Sequence, residues 1–411
     1  MGLLALSNCT IKNMNKPKGF ASILIIVIAL ILLVLGYVTF NPFFKKVTQE
    51  IPQKISRSLV SNKTNPFTER YHYGSECEGK SGTIEFSHPP MNIEDIGNIE
   101  PYGIMIDAHV IPTSHGYISP IIFHSERDKY PVYAIADGVI VNVSHRGESI
   151  GDNVGNDTTD EYQMYFEYSC TFYSYYDLLT SLAPEIQEEV GKLTGFENKN
   201  VRIPVKAGQL VGRIGGQTVD FAVWNFEKEP AYFANPASYK QDEDRFYLDD
   251  MFFYFKEPIK SELLSKARRT VEPRSGKVDY DKEAKLVGNW FREGSNGFAG
   301  PEGIQQTAGR RYWDGHLSIS YDYIDPDKII FSIGNFGGKA AQFNVAGNTP
   351  DPATIGVKEG LTKYELESFN TFSGTALVQL LESGKLKVET FPNKRVREVN
   401  DFTDQAKIYT R

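Results

Sequence analysis

The chain has 411 residues, 41% of them hydrophobic and 23% charged, a globular composition and a length sufficient for more than one hydrophobic core. Its 44 Lys and Arg against 52 Asp and Glu give a net charge of −8, which argues against a nucleic-acid surface and leaves a glycan or peptide partner open. An aromatic content of 13% and 35 glycines lean the fold class to mainly β.

In chain order, the first element is residues 20–40, FASILIIVIALILLVLGYVTF, which carry no charge. At about 1.5 Å per residue they span roughly 31 Å as a helix, the thickness of a hydrocarbon core. A cleaved signal peptide has an apolar core of about 7–15 residues and a small-x-small cleavage site. Neither fits, so a single transmembrane helix is expected, with residues 1–19 as a cytoplasmic tail and Met14 as a second candidate start. Lys12, Lys16 and Lys18 precede the span and Lys45 and Lys46 follow it, which biases its orientation only weakly. The bulk of the chain is placed outside the cytoplasm, anchored in the cell membrane. Residues 41–82 read as a polar stalk. Cys77 and Cys170 fall beyond the span and Cys9 before it. A bond between the first two would close a loop worth about 4–5 kcal/mol on the entropy model, and spacing alone leaves it open.

From residue 83 the pattern becomes short β-branched and aromatic runs between turn signals. GTIEF, YGIMIDAHVI, PVYAIADGVIVNVSH, YQMYFEYSC, VRIPV, QLVGRIG and TVDFAVWN are expected strands, interrupted by one helix over residues 175–193. Residues 236–284 are charged and mixed and are expected to form a linker with a helix in KSELLSKARR. A second β-rich block fills residues 285–411, with strands in LVGNWFRE, GHLSISYDY, KIIFSIG, AAQFNV, TKYELE, TALVQLL, KLKVETF and AKIYT.

Within the first block, PVYAIADGVIV is a strand, a tight Asp-Gly turn and a second strand. VKAGQLVGRIGG repeats that logic. It lacks the GK[ST] ending of a phosphate cradle, and no helix follows it. Together the two segments resemble the β-sheet core of LytM-type M23 peptidases, over most of residues 83–235. The resemblance implies a zinc held by a His, an Asp four residues on and the second His of a His-x-His strand, with a further His for catalysis and a metal-bound water as attacking group.

Position by position, the chain departs from that pattern. His115 is the counterpart of the first ligand, but Ser119 stands four residues on. A literal His-x-x-x-Asp at His124 and Asp128 lies too close to Pro131. The His-x-His strand corresponds to Thr218-Val-Asp220, and Tyr-x-His-Leu to Tyr175-Tyr-Asp177-Leu. The substitutions favour a fold kept without its metal and without a catalytic residue. A groove near Tyr175, Asp177, His109, His115 and Asp220 would remain for binding. The competing reading is a rebuilt zinc site of His109, His115 and Asp220, with Asp177 as base.

In the second block, Gly288-Asn-Trp290 opens the strand series and Arg411 ends the chain. A Gly-x-Trp on the first strand and an Arg after the last resembles the lipocalin or calycin barrel, in which the Arg packs across the Trp and closes the barrel. A β-sandwich with Trp290 as a core anchor is the alternative. His316 is expected to point outward from its strand rather than to serve as a ligand.

The function expected is a membrane-anchored protein that binds cell-envelope glycan or peptide, or scaffolds envelope enzymes, without hydrolysis. The alternatives are a zinc peptidase acting on peptidoglycan cross-links and a small-molecule or lipid binder working through the barrel.

Overall fold

Nearly every β-branched or aromatic run becomes a strand, and the strands divide between two open sheets and one closed barrel. The structure, a computed structural model, describes residues 80–146, 161–195, 197–301 and 311–411, all within the unit Asn65–Arg411. The first part contributes β1 (Ile96–Glu100), β2 (Gly116–Pro120), β3 (Tyr130–Tyr133), β4 (Gly138–His145), β5 (Tyr162–Ser169), β6 (Phe172–Leu179), β7 (Ser181–Leu182), α1 (Pro184–Val190), β8 (Asn198–Val205), β9 (Leu210–Ile214) and β10 (Val219–Asn225). An antiparallel seven-stranded sheet runs β1-β2-β10-β6-β5-β4-β8, and β3-β9-β7 form a smaller sheet.

Three sequence expectations change here. The helix expected over residues 175–193 shrinks to α1, because its first residues extend β6. There Tyr175 stacks on Tyr165 of the neighbouring strand, with ring centroids 5.5 Å apart, and Pro184 opens the helix where its missing N–H costs nothing. Residues 102–111 form turns instead of a strand, with Asp107 at φ +48° and two isolated bridges, Tyr102–Gly276 and Ile106–His109. GTIEF reduces to one bridge between Phe86 and Phe255. The glycines of GRIGG serve close packing: a Cβ on Gly215 would meet the Glu126 carbonyl at 2.0 Å.

Residues 236–284 bury Tyr239, Met251, Phe252, Phe255 and Leu263 in the same core as the large sheet. Their helix is α2 (Ile259–Lys266). Arg269, 2% exposed, donates to the carbonyls of Val271, Glu272, Pro273 and Tyr323, tying this segment to the barrel.

The barrel comprises β11 (Gly288–Arg292), β12 (His316–Tyr321), β13 (Ile329–Phe336), β14 (Lys339–Val345), β15 (Thr362–Ser368), β16 (Thr371–Leu380), β17 (Leu386–Pro392) and β18 (Lys407–Thr410). It closes through β11–β18 pairing, Phe291 to Thr410 and Arg292 to Tyr409, which replaces the sandwich alternative. Alternate residues fill its interior: Trp290, Leu317, Ile319, Phe331, Ile333, Tyr364, Leu366, Val378 and Tyr409 are all 3% exposed or less. Small barrels fill in this way with their own side chains. Gly288 has φ +117°, and a Cβ there would meet Asp281 Oδ1 at 2.1 Å, which explains the Gly of Gly-x-Trp. The Arg411 guanidinium lies 3.9 Å from the Trp290 ring centroid and donates to the carbonyls of Lys282 and Val287.

The outer face of β11 and β12 is also buried. Phe291 packs edge-on against Tyr239 at 5.3 Å, and Ser318 and Ser320 have no exposure. His316 points out of the barrel but not into solvent, with Nε2 3.1 Å from the Phe298 carbonyl oxygen. Cys170 is disulfide-bonded, and its amide donates to the Lys80 carbonyl at 2.8 Å. Cys77 lies outside the described residues. So does the expected membrane span at 20–40; among the described residues no helix is long and apolar enough to cross a membrane.

Candidate functional site

Strand register assembles the site. Asp220 on β10 lies opposite Tyr117 on β2 and Asp177 on β6, so the three side chains form a row across one sheet face. Two residues along, Ala222 faces Tyr175, which faces Tyr165 on β5. Trp224 joins this ring cluster, its centroid 5.1 Å from that of Tyr175 and 6.1 Å from that of Tyr165.

His115 immediately precedes β2, and its Nε2 lies 3.0 Å from the Tyr117 hydroxyl and 3.5 Å from Asp220 Oδ2. His109, from the turn at 106–109, stands with its ring 5.5 Å from that of His115. Arg146 follows β4 directly and donates through Nη1 to Asp177 Oδ2. Gln163 Nε2 donates to the same oxygen at 2.8 Å, and the Leu178 amide donates to Oδ1 at 2.7 Å. Leu178 has φ +67°, a region that costs a bulky side chain about 1–3 kcal/mol. The strained turn is what aims its amide at the carboxylate.

These groups enclose a cavity of about 400 Å³, within the size range of small-molecule sites. Rings of Tyr117, Tyr165, Tyr175 and Trp224 contribute to its wall, and Gln241, Asp242 and Asp244 contribute to its rim. The five residues singled out in the sequence, His109, His115, Tyr175, Asp177 and Asp220, all line it. His124, Asp128 and Ser119 do not. Arg146, Gln163, Tyr165 and Trp224 were missed. Gln163 and Tyr165 sit at alternate positions of an expected strand, a weak signal for a shared face. For Arg146, which directly follows β4, no local pattern exists.

The electrostatics follow from burial. Burial, reinforced by the Arg146 and Arg245 guanidinium groups, lowers His109 to about 4. Burial, with His109 and the same two arginines, holds His115 well below the usual imidazole range. Burial and the neighbouring Asp177 raise Asp220 well above an ordinary carboxyl. Both shifts favour the neutral forms at the His115–Asp220 contact. The Asp177 carboxylate raises Arg146, outweighing the opposing effect of burial. Arg245, 2% exposed, pairs with Asp242 and donates to the Pro112 carbonyl.

Zinc needs three or four N or O ligands at about 2.0–2.2 Å with their lone pairs free. Here Asp177 is engaged by Arg146, Gln163 and the Leu178 amide, and the His115 Nε2 is engaged by the Tyr117 hydroxyl. The Arg146 guanidinium adds a positive charge that repels a dication. Among the described residues no three His, Cys, Asp or Glu side chains converge in a metal-holding group. The residues present do not fit a zinc ion.

Fold and site thus define a mainly β protein with an aromatic and carboxylate cavity on an antiparallel sheet, beside a closed eight-stranded barrel. No family model matches the chain, and no curated protein sequence matches it. Among solved structures it is similar to a zinc-containing peptidase from Vibrio cholerae, at 14% identity and a TM-score of 0.19, over 34% of this chain and 36% of that one. The chain thus spans about a third of that peptidase. It is also similar to lysostaphin, an antimicrobial peptidase from Staphylococcus simulans, at 13% identity and a TM-score of 0.23, over 80% of this chain and 100% of that one. A solution structure of lysostaphin aligns at 13% identity and a TM-score of 0.21, over 67% and 98% of the two chains. Likeness at these values assigns no activity, so the site is read from its own geometry.

Proposed function

We propose that the chain is a membrane-anchored, extracytoplasmic protein whose M23-like sheet binds cell-envelope glycan or peptide, or scaffolds envelope enzymes, without hydrolysing its ligand. The observation that carries this reading is Arg146, whose guanidinium is bonded to Asp177, the residue at the family's catalytic-histidine position and opposite Asp220 in the sheet register. Arg146, Gln163 and the Leu178 amide all donate to that carboxylate, which holds it in place within the protein. The cavity nevertheless keeps the size and the aromatic wall of a binding site. For the barrel, an interior filled by Trp290, Phe331 and Tyr364 speaks against the small-molecule or lipid alternative.

The test uses the full chain purified in detergent. Its metal content is measured by plasma mass spectrometry, its retention on isolated sacculi by co-sedimentation, and its activity by release of soluble fragments. Retention without zinc and without release is expected. Stoichiometric zinc with fragment release would overturn the reading in favour of a peptidase, and failure to bind sacculi would overturn the binding role.

A further inference from the structure

We infer that the cavity over β2, β10, β6 and β5 takes an uncharged, hydroxyl-rich ligand, a glycan segment, in preference to a peptide; this rests on the binding function proposed above. The first ground is charge geometry. Arg146, which lines the cavity, is bonded to Asp177, and Arg245, behind the lining, is bonded to the lining residue Asp242. Asp244 on the rim also has a contact within the protein. His115 is satisfied by the Tyr117 hydroxyl at 3.0 Å.

An ionised ligand gains little in such a place. A carboxylate or phosphate must share the Arg146 guanidinium with Asp177 and lie near the Asp242 and Asp244 carboxylates, and an ammonium group meets Arg146. Burying a charge without a partner costs several kcal/mol. A neutral ligand avoids that cost.

The second ground is the wall. Tyr117, Tyr165, Tyr175 and Trp224 bring ring surface to the cavity, while Gln163, Gln241 and Asp242 bring amide and carboxylate atoms. A pyranose alternates the same two chemistries. Its C–H faces carry partial positive charge that suits the negative face of an aromatic ring, and its hydroxyls donate to and accept from the amides and carboxylates. At about 400 Å³ the cavity suits a short saccharide.

The experiment titrates the full chain in detergent with two probes by calorimetry: a neutral tetramer of N-acetylglucosamine and a free tetrapeptide with ionised termini. The sugar is expected to bind saturably, with affinity unchanged between about 50 and 500 mM salt, because no ion pair forms. Tyr117→Leu is expected to weaken it about five- to tenfold, the size of one lost aromatic contact, while Tyr117→Phe stays within about twofold of the parent. Trp224→Phe should abolish any change in tryptophan emission on binding, which places the sugar at this cavity even if Tyr117→Leu folds poorly. Peptide binding without sugar binding overturns the glycan inference and leaves the binding function standing. Binding of neither probe overturns both. Sugar binding that all three variants leave untouched, in heat and in emission, places the ligand elsewhere and overturns the inference.

Discussion

Replacing Arg146 tests the central feature of the site. In Arg146→Met the Asp177 carboxylate, whose side chain is 4% exposed, loses its cation, whereas the Arg146 side chain is 46% exposed. Removing one partner of a fully buried pair costs about 3–5 kcal/mol. Two features reduce that figure here: solvent reaches the guanidinium, and Asp177 keeps the Gln163 and Leu178 donors. A loss of about 2 kcal/mol is expected from urea unfolding followed by circular dichroism. Asp177→Asn removes the charge that the guanidinium answers, so the double variant should cost less than the sum of the singles. The expected coupling is about 1–2 kcal/mol. A coupling below about 0.3 kcal/mol, the limit for independent sites, would refute the claim that Arg146 is the resident cation of this cavity.

Three further outcomes follow from the same geometry. His109, held near 4 in the fold and about 6.5 when unfolded, must stay neutral while the unfolded chain takes up a proton. Its contribution is therefore full above about pH 6.5 and is lost as pH falls toward 4, so His109→Gln should gain up to about 3 kcal/mol on the parent between pH 7 and 4 in urea midpoints. Asp220 has the opposite sign: its raised value contributes stability at low pH that is lost as pH rises through it, so Asp220→Asn should be more stable than the parent at pH 8 in the same assay. Arg411→Ala exposes Trp290 and strips donors from the Lys282, Leu286 and Val287 carbonyls. It should cost about 3 kcal/mol, with Arg411→Lys recovering little, because an ammonium group lacks the planar fork.

How much of this was legible in the chain depended on the range of the signal. Strands such as TVDFAVWN and TALVQLL announce themselves by local composition, and Gly288-Asn-Trp290 with Arg411 announces a closure that two chain ends make together. Tyr175 misled: YYDLLTSLAPEIQEEV carries helical residues enough to hide that its first part completes β6. There the cross-strand rings outweigh local propensity. Four of the five candidate residues, His115, Tyr175, Asp177 and Asp220, stand in motif positions, and His109 lies six residues before the first of them. Arg146 and Gln163 stand in none, and only the register of β4, β5 and β6 brings them to Asp177. Long-range pairing of that kind leaves no trace in spacing.

What the register builds is also expensive. The sheet holds a buried Asp220 displaced toward its neutral form, an Arg–Asp pair whose carboxylate is nearly inaccessible, and a leucine at positive φ beside it. None of these stabilises the sheet better than apolar residues of similar volume would, since a buried ion pair is often neutral or unfavourable against a well-packed hydrophobic replacement. A few strands away, the barrel shows the cheaper solution, with alternate positions filled by Trp, Phe, Tyr, Ile and Leu. The same chain therefore packs one β-structure solid and leaves the other open at considerable cost. Polar, strained and hollow features that coincide on one face are what a ligand site requires and what stability alone selects against. Ser119 and Asp220 stand where the resemblance expects metal ligands and Asp177 where it expects a histidine, and the cavity is still built around the two aspartates.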